Sequence, residues 1–311
     1  MADFFREVAI AKAKKQTVMV DTFLEEAPIL GMMPMQQTSD GLINKYEELD
    51  SVVEAQVVDL ESALPTVNST SALKNVQLNV IGGTIFVSQD KARQMGGKDN
   101  YFAMKLPSVL RKTGMSHEKS LIYNTFRANS IANGNVESAG GSTAGGQNSI
   151  VIVKWVPGEV TGLYDAGSFG DGKIFQFDDL YGGALMKDSS GVPGYERQMK
   201  NYTGVQIADP KYVQSIVNID LKAADTESGY TALPDEELIS DLLVDARANP
   251  ANTFIYMGAR TKSALNYYKS SRLQTNVMDN NLNRVFDQWD GINIITSYNF
   301  DQNTEAVVTL S

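Results

Sequence analysis

The run Gly204-Val205-Gln206-Ile207-Ala208-Asp209-Pro210-Lys211-Tyr212-Val213, closing in Ser215-Ile216-Val217-Asn218-Ile219-Asp220, decides how this chain folds. Val205 to Ile207 and Val213 to Ile219 are dense in β-branched residues, the composition of strands. Upstream, Ile150-Val151-Ile152-Val153-Lys154-Trp155-Val156 reads the same way, and the glycine-rich stretches between these runs read as turns. A β-rich layer is implied.

Helices alternate with strands beyond it. Pro234 to Ala248 carries a full set of helix signals: Pro234 near the start, Asp235, Glu236 and Glu237 in the first turn, Arg247 in the last, and Asn249-Pro250 as the stop. Its apolar stripe is Leu238, Leu242, Leu243 and Ala246. Thr253 to Met257 reads as a strand, Arg260 to Ser271 as a helix, Ile292 to Thr296 as a buried strand, and Ala306 to Leu310 as a last short strand. The class is α+β.

The N-terminal half is less regular. Phe4 to Lys15 has the spacing of a short amphipathic helix, and Phe23 to Met35 is apolar but broken by Pro28, Gly31 and Pro34. Between residues 43 and 90 the stretches Ile43 to Tyr46, Val76 to Val80 and Thr84 to Val87 suggest an extended hairpin, with Gly82-Gly83 as a turn or bulge. Leu106, Val109, Leu110, Leu121, Ile122 and Phe126 predict a long helix over 102–132, with Pro107 near its first turn and a weak point at Gly114. Ser138 to Ser149, holding Gly140, Gly141, Gly145 and Gly146, reads as a flexible loop.

Composition removes most chemistry. The 311 residues include no cysteine and one histidine, which excludes disulfides, thiolate sites and zinc sites that need two imidazoles. His117, beside Glu118, reads as a packing or surface residue, so no catalytic residue, metal site or cofactor is assigned. Gly167-Ser168-Phe169-Gly170-Asp171-Gly172 reads as a turn, because no strand leads into it and no helix leaves it. Asp178-Asp179, Asp220 and Asp279 match no calcium loop, and Tyr267-Tyr268 with Lys262, Lys269 and Arg272 fits a packed helix better than a nucleic-acid surface. The net charge of −10 argues against a tight grip on nucleic acid. No membrane span is expected, and the opening Met1-Ala2-Asp3-Phe4-Phe5-Arg6 lacks an export-signal layout.

Three blocks resemble the major capsid proteins of short-tailed phages and related prophages. Ser149 to Trp155, followed by Val160-Thr161-Gly162-Leu163-Tyr164-Asp165-Ala166-Gly167-Ser168, is similar to the family's strand ending near Trp and its glycine-marked turn. Tyr195 to Asp220 resembles the family's tyrosine-bearing strand, its Ala-Asp pair (Ala208-Asp209) and its Ile-X-Asn-Ile-Asp ending. Phe254-Ile255-Tyr256-Met257, the helix through Leu265, Phe286, Gly291-Ile292 and Thr304-Glu305 follow the family's order of elements. Tyr202 and Ser215 stand where family members often carry Trp and Arg, so contacts made by those residues are not carried over.

The resemblance implies the Hong Kong ninety-seven type capsid fold. Residues 1–42 would be an N-terminal arm, 43–100 an extended β-hairpin loop, 101–148 a peripheral domain with a long spine helix, and 149–311 an axial domain plus returning peripheral strands. It implies a non-enzymatic subunit that self-assembles into hexamers and pentamers, in the host cytoplasm and then in the virion, enclosing double-stranded DNA without sequence-specific binding. Portal and scaffolding proteins and a decoration protein are the implied partners; an encapsulin-like shell around protein cargo is the alternative. Phe4, Phe5 and Val8 of the arm, with Met32, Met33 and Met35 of the adaptable Met-rich strip, are the expected intersubunit contacts.

Overall fold

The computed structural model describes residues 27–59, 63–64, 66–165, 176–221, 232–234, 236–272 and 288–310. Its strands are β1 (Met35–Gln37), β2 (Ile43–Val52), β3 (Ser69–Gln77), β4 (Asn79–Ser88), β5 (Val136–Ser138), β6 (Gln147–Lys154) and β7 (Val160–Tyr164). They continue as β8 (Gln176–Asp179), β9 (Met186–Lys187), β10 (Pro193–Ile207), β11 (Val213–Asp220), β12 (Thr253–Met257), β13 (Gln288–Trp289) and β14 (Ile292–Thr296). The helices are α1 (Pro28–Met32), α2 (Gln89–Gln94), α3 (Lys98–Ser120), α4 (Ala128–Ala132), α5 (Glu236–Asp245) and α6 (Ala259–Arg272). A wide-turned π segment, Leu121–Arg127, joins α3 to α4.

Two compact units result. The first gathers Val87–Val156, Asp209–Ser311 and the described residues up to Pro34. Its six-stranded sheet runs β13-β14-β12-β6-β11-β5, with β6 antiparallel to both neighbours and β12 parallel to β14. Every residue of β11 is buried, as is β6 up to Val153, which is why their sequences read as near-continuous apolar runs. Ile150, Ile152, Ile216, Ile219, Ile255 and Ile294 meet Ile239, Leu242 and Leu243 of α5 and Leu265 of α6 in one core. The predicted stripe of α5 holds except that Ile239 is buried deeper than Leu238.

Polar residues inside β11 are all engaged. Ser215 Oγ meets Ser130 Oγ at 3.0 Å, and Gln214 Nε2 donates to the Lys211 carbonyl at 2.9 Å. Asn218 sits at a register shift between β11 and β6 with φ of 58°, a left-handed conformation that asparagine tolerates. Its amide donates to the Val308 carbonyl and its Oδ1 accepts from the Val308 N–H, both at 2.8 Å. That exchange explains the fate of Ala306 to Leu310. They form no strand, because a side chain rather than a neighbouring strand takes the Val308 backbone groups.

The long helix is continuous from Lys98 to Ala132, so Pro107 lies in its interior and not near its start. Gly114 is buried without interrupting it. The irregularity falls at Leu121–Arg127, where the π turn directs Leu121, Ile122 and Phe126 inward. The Phe126 ring packs edge-on against Trp155 at 5.9 Å, and Trp155 Nε1 donates to the Tyr256 hydroxyl at 2.9 Å.

The glycine loop after β5 is mostly exposed but packs tightly at Gly141. A Cβ on Gly141 would stand 2.3 Å from Gln147 Oε1 and 2.5 Å from the Asn218 carbonyl, and the Gly141 N–H donates to that carbonyl. Gly141→Ala therefore forces a main-chain shift and is expected to cost about 1–3 kcal/mol. The check is a urea melt with lowered midpoint and unchanged slope.

The second unit comprises Met35–Phe86 and Pro157–Ala208. The long strand β10 organises its six-stranded sheet, pairing with β7 through Thr203–Ile207, with β8 through Arg197–Lys200 and with β9 through Pro193–Gly194. β1 runs parallel to β7, and β4 lies along β10. Gly82 and Gly83 lie inside β4 and make no turn; a Cβ on Gly82 would meet the Met199 carbonyl at 2.5 Å, so close backbone approach demands the glycine. The hairpin of this unit is formed instead by β2 and β3, antiparallel from Ile43↔Gln77 to Val52↔Ser69.

Candidate assembly surface

Among the described residues no group of three or more His, Asp or Glu side chains could hold a metal. Burial drives the His117 imidazole down to about 4, leaving it neutral in ordinary conditions. Asp179 is held by Arg197 at 2.5 Å, and Asp220 is buried at the end of β11. Asp279 and Gly167 to Gly172 lie outside the described residues, as do the side chains of Tyr267, Tyr268, Lys269 and Arg272. No helix among the described residues is long and apolar enough to cross a membrane.

The surface of the second unit is unusual for its apolar exposure. Along β2, β3 and their connection, Val52, Val53, Val57, Leu64, Val67 and Leu73 are exposed, Leu64 at 83% and Leu73 at 74%. Both ends of β3 and most of its length face solvent. An isolated two-stranded hairpin is marginal in water, and bare Val and Leu along it and its connection are apolar area whose burial would be stabilising. Each such side chain, once buried, contributes about 1.5–3 kcal/mol.

The expected contact residues are placed unevenly. Phe4, Phe5 and Val8 lie outside the described residues. Met32, at the end of α1, and Met35, in β1, are exposed, whereas Met33 is buried at 7%. Met33 thus packs inside the subunit, whereas Met32 and Met35 face solvent.

Two buried carboxylates hold the long helix, and sequence reading missed both. Glu118, fully buried, accepts from the Ile29 N–H at 2.9 Å, from Asn299 Nδ2 at 2.9 Å and from the Ser297 hydroxyl. It thereby caps the first turn of α1 from 89 residues away and ties the segment after β14 to the same point. Glu305 accepts from Tyr123 Oη at 2.7 Å and Ser149 Oγ at 3.0 Å and pairs with Arg127 at 2.8 Å. The only sequence signals were Glu118 next to His117 within a helical pattern and the Thr304-Glu305 pair of the resemblance.

Burial pushes the Glu118 carboxyl above its ordinary value of 4.5, and the donors from Ser297, Asn299 and the α1 backbone pull it partly back. A carboxyl with a raised folded-state pKa binds its proton more tightly when folded. Its contribution is fully present below the ordinary value and declines as pH rises through the folded one. Wild type should therefore gain stability relative to Glu118→Gln as pH falls toward 4.5, measured by paired urea melts. A constant difference would refute this.

A family model described as Major capsid protein GP7 matches residues 120–309, more than half of the chain. The match begins at the π turn and takes in β5, β6, β11, α5, β12 and Glu305. No curated protein matches the chain. Among solved structures, a chain from bacteriophage Epsilon15 is similar at a TM-score of 0.57 and 16% identity, over 89% of this chain and 88% of that one. The capsid of bacteriophage JBD30 is similar at a TM-score of 0.54 and 9% identity, over 94% of this chain and 98% of that one. Those two likenesses bear on the fold, which is the phage capsid fold that the resemblance implied. With the family match taking in all the strands of the first unit's sheet and the fold that of phage capsids, the chain belongs to the Major capsid protein GP7 family and is a structural subunit of a tailed-phage capsid.

Proposed function

We propose that this subunit assembles as hexamers and pentamers into an icosahedral shell around the phage's double-stranded DNA, without catalysis of its own. The observation that carries the reading is the apolar hairpin β2–β3, whose exposed Val and Leu would be covered by a neighbouring copy. Many small contacts of this kind sum over a closed lattice. In this reading residues 1–42 serve as an arm, the loop around β2–β3 and the long helix take the extended-loop and spine roles, and the sheet of the first unit supplies the axial and returning peripheral parts. Phe4, Phe5, Val8, Met32 and Met35 join the hairpin as intersubunit contacts. Assembly in the host cytoplasm, with scaffolding and portal proteins and a decoration protein on the outside, completes the proposal.

The family match favours a genome over a protein cargo. Electron cryomicroscopy of filled particles, with their absorbance spectrum, tests that choice. Layered nucleic-acid density inside is expected, and a protein-filled lumen would point to an encapsulin-like shell.

A further inference from the structure

At one end of the first unit's sheet, where β6 finishes and β11 and β12 begin, two lysines converge on one aromatic ring, with the Arg247 main chain beside them. Lys154 Nζ lies 4.6 Å from the centre of the Tyr212 ring and Lys211 Nζ lies 4.7 Å from it. Lys154 also donates to the Arg247 carbonyl at 2.8 Å, and Arg247, just past the end of α5, adopts a left-handed φ of 48°. Lys211 is paired with Asp209. Among the described residues no carboxylate pairs with Lys154 or with Arg247.

Two ammonium groups thus share one ring, one of them bound to the Arg247 carbonyl and the other paired with Asp209, on a chain whose net charge is −10. Like charges held this close repel, and an anion seated among them would relieve the repulsion. The Asp209 carboxylate raises the Lys211 ammonium above the ordinary lysine range, opposed by burial and, more weakly, by the charge of Arg247. The Tyr212 ring already bears two ammonium groups, so it is poorly placed to stack on a base. What the cluster can recognise is a row of phosphates.

We propose that Lys154 and Lys211, which share the Tyr212 ring, form together with the neighbouring Arg247 a contact site for the phosphodiester backbone of double-stranded DNA. The proposal rests on the reading of the chain as a genome-enclosing shell subunit. It gives the acidic subunit one positive point at which the packaged polyanion touches it, independent of sequence. Repeated over a shell, contacts of one to three phosphates per subunit order DNA without gripping it.

The test uses the full chain, unassembled, with a short fluorescent duplex followed by anisotropy at 50 and 200 mM salt. Three phosphate contacts give a salt slope near −2.7, so binding should weaken about 40-fold over that range. The double variant Lys154→Gln, Arg247→Asn should lose about 1.8 from the slope and weaken only about threefold over it. Lys154→Arg with Arg247→Lys should keep the wild-type slope. Wild-type binding and slope in the neutralised variant would overturn the proposal. So would intact DNA binding combined with lost shell formation, which would assign the cluster to a neighbour's carboxylates. Lysine acetylation on the wild-type chain gives a readout independent of variant folding: duplex should protect Lys154 and Lys211, and equal labelling with and without it would also overturn the site. Failure of the wild type to form shells would count against the shell reading alone, since DNA binding is measured before assembly.

Discussion

Replacing Leu64, Val67 and Leu73 together by Glu is expected to abolish shell formation while leaving the subunit's melt close to that of wild type. All three side chains are exposed in the lone subunit, so their loss removes little from its own stability. In a shell each would be buried, and each apolar side chain withdrawn from the contact forfeits about 1.5–3 kcal/mol before any desolvation of the new carboxylates is counted. A loss of even about 3 kcal/mol per contact raises the concentration needed for association more than 100-fold. Light scattering during assembly and electron microscopy give the readout. Normal shells from the triple variant would show that the hairpin is not covered by a neighbour.

Glu305→Ala should be among the most destabilising single changes in the first unit, by about 3–5 kcal/mol, because it strands a buried charge partner. The Glu305 side chain is 3% exposed and that of Arg127 is 19% exposed, so the guanidinium left behind has little water to turn to. Tyr123 and Ser149 lose their acceptor at the same time, although Tyr123 keeps the Asp301 N–H at 2.6 Å. Arg127→Met combined with Glu305→Leu should recover much of the loss, since an apolar pair avoids the burial of both charges. A double-mutant cycle by urea denaturation reads the coupling. Additive effects would mean that the pair acts independently and that this account of the C-terminal segment is wrong.

What the sequence made legible was local, and what it hid was tertiary. Thr253 to Met257, Ile292 to Thr296 and the α5 stripe were readable because buried strands are continuous runs of β-branched residues and helix ends carry charge and proline signals. Gly82 and Gly141 misled for a shared reason. Glycine marks a turn in isolation, but here it marks places where a neighbouring backbone comes within a Cβ's reach, and only the folded partner reveals which. The strand expected at Ala306 to Leu310 failed because Asn218 takes the Val308 backbone groups in place of a strand. Glu118 and Glu305 were invisible as anchors, since their donors come from residues scattered across almost the whole chain. The hairpin was legible in kind but misplaced in register, because nothing local distinguishes β3 from β4 as its second strand.

Sedimentation velocity of the lone 311-residue chain at high micromolar concentration, in low and in high salt, reads self-assembly without any partner. Capsomers or closed shells are expected in at least one of these conditions. A strictly monomeric species in both would contradict it.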